Sequence, residues 1–407
     1  MMPKKPKILI SGAGIGGLTA ALSLLRRGFP VEVYEQAPVL GEVGAGLQIA
    51  PDGSRILIEL GLEDAMEAVV CEADSKEVRL WNTGERRKLF DLGADSRERF
   101  GAPYWFVHRG DLHRVLLDAV LEADPDCVHP GRKCISYSDD GQHVSLQFED
   151  GSTATGDAVI CADGVHSILR GQAFASPKPE FTGMMSWRGI ARMEDLPEDL
   201  RTHAGTNWVG PGGHVVSYAL RRGELMNFAG IVERPDWTTE SWSTKGTHEE
   251  CLADFAGWNS SIHDLIRAVD QPFKWALVSR KPLSNWCKGR LTLLGDAAHP
   301  TLPFLAHGSI MALEDGYIVA RCLDTTPEDP ELAFRRFVAT RIDRCTAIVD
   351  GSAENAKRFH NPLLADHDRA IRYLDEQWAP ERVRQRYDWL FEFDAITVPL
   401  AESRETA

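Results

Sequence analysis

Paired cysteines, long apolar runs and an excess of positive charge are all missing from this 407-residue chain. The eight cysteines are Cys71, Cys127, Cys134, Cys161, Cys251, Cys287, Cys322 and Cys345. They form no Cys-x-x-Cys pair and are sparse for the length. That argues against a zinc or disulfide scaffold and predicts free thiols in a reducing cytoplasm. The chain carries 45 Lys and Arg against 60 Asp and Glu, a formal net charge of −15. Such a balance repels nucleic acid and anionic lipid, so neither is expected as a partner. An anionic small molecule would need local positive charge or hydrogen-bond donors against this background. No segment approaches the roughly 20 uninterrupted apolar residues of a membrane span. Basic residues 1–7 followed by apolar residues 8–25 imitate a signal peptide, but Gly12, Gly14, Gly16 and Gly17 interrupt that run and Arg26 and Arg27 close it. Internal repeats and low-complexity tracts are absent as well.

What remains is an ordinary globular composition, 43% hydrophobic and 26% charged, in a chain longer than one core usually serves. Two domains and a helical tail are expected. Residues 7–11 read as a buried strand, 18–27 as a helix with leucines at helical spacing, and 31–34 as a second strand. This βαβ unit opens a doubly wound sheet. Further strands are expected at 143–148, 158–161 and 291–294, and helices at 54–60 and 111–121. Residues 181–278 differ in character. They hold Trp187, Trp208, Trp237, Trp242, Trp258 and Trp275, and a predicted hairpin of 214–220 and 225–232 about the turn 221–224. The tryptophans are expected to be mostly core. From Pro330 onward the chain reads helical. The predicted class is α/β: a Rossmann-like domain (1–75, 101–180, 282–345), an inserted, mostly antiparallel sheet domain (76–100, 181–281) and a helical segment (346–407).

Three motifs carry chemistry. In Gly12-Ala13-Gly14-Ile15-Gly16-Gly17, Gly12 permits the tight turn after the strand, Gly14 lets backbone approach a pyrophosphate, and Gly17 lets the helix pack on the sheet. Phosphates then sit at the helix N-terminus, where free amides and the dipole favour anions. Glu35, followed by Gln36, closes the second strand and is placed to accept from ribose hydroxyls. This fingerprint marks a dinucleotide site without separating FAD from NAD. The other motifs are Asp163-Gly164 after the strand 158–161, and Gly295-Asp296 after the strand 291–294. A helix starting at Gly308 follows the latter. Its N-terminus would favour negative charge on a reduced flavin; an ordinary helix start is the alternative.

With these three motifs in this order, the chain resembles the single-component flavoprotein aromatic hydroxylases, a family that includes para-hydroxybenzoate and salicylate hydroxylases. The likeness runs from Ile8 to about Asp350 and is nearest to the 3-hydroxybenzoate 6-, salicylate and 6-hydroxynicotinate hydroxylases. The resemblance implies an FAD-binding domain with an inserted substrate domain. It implies noncovalent FAD, NADH or NADPH as co-substrate with NADH favoured, and O2. The reaction would be hydroxylation of an aromatic acid through a flavin C4a-hydroperoxide, in a monomer or homodimer. Asp163 and Gly164 would serve both FAD and NAD(P)H, and Asp296 the ribityl chain. The loop Gly41 to Gln48, with Gly44, Gly46 and Leu47, would lie beside the flavin ring, as would Pro303. Arg109 matches an arginine that reaches FAD, with a surface salt bridge as its alternative. No second strand-linked Gly-x-Gly-x-x-Gly suggests a separate nicotinamide fold. Two other classes stay open: a flavin-dependent dehydrogenase or oxidase without oxygen insertion, and a noncatalytic flavin-binding protein.

On the strand from His214 to Tyr218, His214, Val216 and Tyr218 share one face. The resemblance places His214, Tyr218 and Tyr104 in the substrate pocket. A phenol attacks an electrophilic oxygen better as phenolate, so a histidine base and tyrosine donors suit the chemistry. The alternative for His214 is a satisfied structural histidine. Where the 6-hydroxylases carry glutamine and a small serine, this chain has Pro303 and His307, and His307 is a second acid–base candidate. Arg188 is a candidate positive charge near the pocket. His299 is expected to be structural, and no metal is expected.

Overall fold

The computed structural model describes residues 5–41, 45–176, 178–236 and 244–402. Gly44, Trp237 and Trp242 lie outside the described residues. The strand Ile8–Ser11 is wholly buried, with parallel neighbours Val31–Glu35 and Ala158–Cys161. Cover on both faces explains why it reads as a continuous apolar run instead of an alternation. Strands 128–130, 291–293 and 287–288 complete a six-stranded sheet. The helix Ile15–Arg26 begins directly at the glycine loop, three residues earlier than expected. It lies close against the helix Gly308–Thr325, where a Cβ on Gly316 would stand 2.7 Å from the Ala20 nitrogen.

The second sheet has seven strands, in the order 273–279, 180–192, 225–233, 213–220, 205–210, 75–80 and 86–91. Every neighbouring pair is antiparallel except 205–210 with 75–80, which is parallel. The expected hairpin forms from Gly213–Leu220 and Leu225–Glu233, with Arg221 and Arg222 at positive φ in its turn. One face of this sheet packs on helices His248–Asp254 and Ser260–Ala268. Trp187, Trp208, Phe228, Phe255 and Trp258 form a separate core there. Tyr218, Val209 and Ile231 belong to the larger core shared with the first sheet.

Two helices carry proline in their first turn: Pro51–Glu59, which starts three residues earlier than expected, and Pro330–Phe359, which starts where the helical reading begins. The latter is one unbroken 30-residue helix, capped by the Asp329 side chain on the Leu332 amide. The expected boundary at residue 346 therefore falls inside it. Among the described residues, no helix is long and apolar enough to cross a membrane.

That long helix is fastened to the first domain by buried charge. Arg341, with no exposed surface, donates to Asp315 at 2.7 Å and pairs with Glu314 at 2.6 Å. Arg344 pairs with Glu314 at 2.7 Å and Asp52 at 2.8 Å. Burial alone would push the Asp315 carboxyl up; His299 and Arg341 together outweigh it and hold it at about 2. Arg341→Met would remove the guanidinium that Asp315 and Glu314 share from a buried cluster that keeps only His299 and Arg344, at a cost of about 3–5 kcal/mol. Urea unfolding of the FAD-loaded protein measures it, and a loss below ~1 kcal/mol, the size of an exposed pair, would contradict this reading.

Candidate active site

The glycine loop is built for close backbone approach. Gly12 has φ +106, and a Cβ there would meet the Ala162 carbonyl oxygen at 2.4 Å. A Cβ on Gly17 would stand 2.0 Å from the Gly12 carbonyl oxygen, and one on Gly16 2.5 Å from Leu294. Gly14 has nothing within 4 Å of the same position, so its surroundings stay open. Ile15 begins the helix without any side-chain cap, which leaves first-turn amides for a ligand. The Glu35 carboxylate accepts from the Ala13 and Ala37 amides, each at 2.9 Å, and so ties the loop to the second strand. Each carboxylate oxygen keeps a further lone pair for a ribose hydroxyl. Gln36 is exposed beside it. His113, which no motif singled out, meets the Ala13 carbonyl at 2.8 Å.

Next to this loop, Asp163 precedes Gly164, which has φ +76. Burial pushes the Asp163 carboxyl up to about 6, against the Ser167 hydroxyl and the amides around it. Its Oδ1 is buried with no hydrogen-bond partner, as are Nε and Nη1 of Arg280, which feels the Asp163 charge. Buried polar atoms without partners are uncommon, and here they border an open glycine turn. A ligand with phosphates and ribose hydroxyls would satisfy them, so the residues present fit FAD.

Beyond Leu294, which a Cβ on Gly16 would meet, come Gly295 (φ +59), the exposed Asp296 and the turn Pro303–Leu305, in which Pro303 is exposed. Gly308 starts its helix with His307 at the N-cap and no side-chain cap, leaving its first amides unclaimed. Arg109 acts electrostatically on both Asp296 and Arg188, and its amide donates to the Ala45 carbonyl at 2.9 Å. Leu47 and Gln48 lie on the strand Gly46–Ile49, antiparallel to Trp105–His108.

The strand Gly46–Ile49, part of a separate three-stranded sheet, meets the second sheet at Gly46. A Cβ there would lie 2.6 Å from the Tyr218 ring, and the Gly46 amide donates to Asn227 Oδ1 at 2.9 Å. The Phe106 ring stacks on Tyr218 with centroids 4.8 Å apart. Tyr104 donates to Gln48 Oε1 at 2.8 Å and accepts from Lys76 Nζ at 3.2 Å. Tyr218, Tyr104 and Gln48 are thus brought together. His214 lies one side-chain repeat beyond Val216 on the same strand face, between Phe304 and Phe359 at 5.1 Å each. Its Nδ1 is 2.7 Å from His360 Nε2, and His360 Nδ1 is 3.1 Å from Glu233. An ionised carboxylate only accepts, so His360 Nδ1 donates to Glu233. His360 Nε2 then accepts from His214 Nδ1–H, and the His214 lone pair is left on Nε2. Burial, with His360 adding to it, holds His214 well below the ordinary 6.5.

His307 does not join this group. Its Nδ1 meets the Leu305 carbonyl at 2.7 Å and its Nε2 lies 3.3 Å from Asp52. Its ring is parallel to Phe391 at 6.2 Å. The Asp52 charge holds it in the buried ionic network. His299 is buried in the same network, 2.6 Å from Asp315. His299, Asp315 and Cys345 bring three donor atoms within 4.8 Å, but Arg341 contacts both Asp315 and the Cys345 sulfur. A guanidinium among these atoms repels a metal cation. Phe106, Asn227, Lys76 and His360 lie in no motif. Only the strand parity of Asn227 opposite Tyr218 could have pointed to one of them.

The sequence matches the FAD binding domain family over residues 5–328. It is 38% identical over 395 residues to a 3-amino-4-hydroxybenzoate 2-monooxygenase of Streptomyces platensis, covering 97% of this chain and 98% of that protein. It is 34% identical over 393 residues to a 3-hydroxybenzoate 6-hydroxylase of Polaromonas naphthalenivorans, covering 96% of each. Klebsiella pneumoniae HpxO complexed with FAD and uric acid shares the fold with a TM-score of 0.82 at 29% identity, over 97% of this chain and 98% of that one.

The open surroundings of Gly14 give a specific expectation. Gly14→Val should melt as the FAD-stripped wild type does yet purify colourless, because the added carbons occupy space the pyrophosphate needs. The flavin absorbance per mole of protein measures this, and a yellow variant of undiminished FAD affinity would contradict it.

Proposed function

The chain belongs to the FAD-binding family of flavin-dependent aromatic hydroxylases, and from that premise we propose that its substrate is an aromatic acid of the hydroxybenzoate, salicylate or hydroxynicotinate type, with NADH favoured over NADPH as reductant. It is an FAD-dependent aromatic-ring monooxygenase. The observation that carries the substrate reading is the shared face of His214 and Tyr218, set against Gly46 and joined by Tyr104.

When bound, FAD supplies the redox chemistry that activates dioxygen and places one of its atoms on the ring. The amides at Gly12 to Gly17 would hold its phosphates and Glu35 its ribose. Asp296 and Arg109 would hold the ribityl chain, and Leu47, Gln48 and the start of the Gly308 helix the ring. His214 takes the phenolic proton at Nε2, the nitrogen left unprotonated by its pairing. Its Nδ1 proton passes to His360 Nε2, and the His360 Nδ1 proton to Glu233, whose side chain is 57% exposed and exchanges with water. The depressed basicity of His214 keeps it unprotonated at neutral pH and hands the proton onward. Burial holds the Tyr218 and Tyr104 hydroxyls above their ordinary 10, so both stay protonated: Tyr218 is a donor to a substrate oxygen, and Tyr104 keeps its bond to Gln48.

NADH oxidation with a panel of hydroxylated aromatic acids, scored for peroxide and hydroxylated product together, tests this reading. Coupled product from at least one acid is expected; peroxide alone with every acid would overturn the substrate class. His214→Asn should lower hydroxylation by about 10²–10⁴-fold and keep FAD, with peroxide replacing product. A variant of wild-type rate and coupling would remove His214 from the mechanism. Because His214 is depressed below 6.5, the acidic limb of the wild-type rate profile should also lie below pH 6.5.

A further inference from the structure

The second sheet carries one row of facing residues that crosses from the proposed pocket wall to a buried cation. Asn227 pairs with Tyr218 on adjacent strands. Gly205 follows next, since its neighbour Thr206 pairs with Ser217, and Gly205 itself pairs with Lys76. Lys76 in turn pairs with Phe90. Paired residues share a face, so Lys76 and Tyr218 lie on the same side of the sheet, two strand spacings or roughly 10 Å apart. The residue between them has no side chain. The Phe106 ring covers it instead, with a Cβ at Gly205 falling 2.8 Å from Phe106 and 3.3 Å from the Lys76 stem.

Lys76 is 7% exposed. Among the described residues its ammonium has one hydrogen bond, to the neutral Tyr104 hydroxyl, and no carboxylate is paired with it. Several other deeply buried cations hold carboxylates or carbonyls. Arg341 and Arg344 hold Asp315, Glu314 and Asp52, Arg170 donates to the carbonyls of Ala297, Ala298 and Lys281, and Lys274 pairs with Glu250. A buried ammonium without an anion is unfavourable, and the cost is removed when an anion arrives. Burial alone brings Lys76 down to about 8, so it is still largely charged at neutral pH.

We infer that Lys76, with the Tyr104 hydroxyl it donates to, is the subsite for the carboxylate of the aromatic substrate, facing the hydroxyl-handling end at Tyr218 and His214. The inference rests on the aromatic-acid reading above and deepens it. The surroundings suit this anion: Phe90, Phe106 and the Tyr104 ring, 5.5 Å from Nζ, offer apolar area to a benzene or pyridine ring. Tyr104 also spans to Gln48 on the strand expected beside the flavin, so an acid held here has its ring near the cofactor.

The test is a binding titration of FAD-loaded protein, followed by the flavin absorbance change. The probes are 3-hydroxybenzoate, salicylate and 6-hydroxynicotinate, each beside its carboxamide. The wild type should prefer the acids. Lys76→Met should weaken acid binding by about ten- to a hundredfold and leave carboxamide binding unchanged. Its ligand-free melting temperature should not fall, because a buried unpaired charge has gone. In the wild type, acid affinity should decline as pH rises above about 8, where free Lys76 loses its proton. Tyr104 is the titratable group that touches Lys76, and burial keeps it protonated through that range. Phe90, Gly205 and Phe106 carry no charge. Should Lys76→Met fail to retain FAD, the wild-type pH step and acid–amide preference decide alone. Unchanged acid affinity in Lys76→Met, equal losses for acid and amide, or no pH step would overturn the subsite and leave the enzyme's reaction class standing. A wild type that binds none of the acids would overturn both readings.

Discussion

Asp315 is the group on which the cofactor cleft depends. This buried carboxylate accepts from the Gly295 amide at 2.9 Å, from His299 at 2.6 Å and from Arg341 at 2.7 Å. Those partners come from the loop after a strand of the first sheet, from the turn beyond it and from the long C-terminal helix. A carboxylate in a dry interior is tolerated only with such donors. Their geometry therefore fixes Gly295 at positive φ and with it the neighbouring Asp296. The network runs on through Glu314 and Arg344 to Asp52 and His307. The flavin-side loop is thus held by charge from both ends, at Gly295 and at His307.

This arrangement divides the histidines by task. His299 and His307 face carboxylates in the interior and hold loops in place. His214 faces another imidazole, and that chain ends on an exposed carboxylate. The difference decides which nitrogen carries the proton, and so which histidine has a lone pair to offer. The long helix takes part in both arrangements: Arg341 and Arg344 anchor it to the first domain, and His360 caps its end beside the second sheet. A helical tail that sequence alone left without a role is a structural member of the site.

The acidic composition, −15 overall, makes the placement of positive charge informative. Most buried cations here are consumed by carboxylates or carbonyls. Lys76 is not, and it stands on the same sheet face as Tyr218. Among the described residues, this is a buried ammonium for which the folded chain supplies no carboxylate, at the point where an acidic ring would lie.

By itself the sequence determined the dinucleotide cradle, the hairpin parity of His214 and Tyr218, and the family. Turn glycines, strand alternation and the strand-to-Asp transitions are all local patterns, legible over a few residues. Gly12 needs its positive φ whatever else the chain does, and a period of two sets the face of Tyr218. Only the tertiary structure decided that His307 turns to Asp52, that Arg344 and Arg341 close the ionic network, that His214 pairs with His360 146 positions away, and that Lys76 shares a row with Tyr218. The physical reason is that these partners meet through strand register and helix packing between distant segments. Neither relation leaves a period in the chain, and a lone lysine on an edge-side strand looks the same in sequence whether it ends in water or beneath a tyrosine.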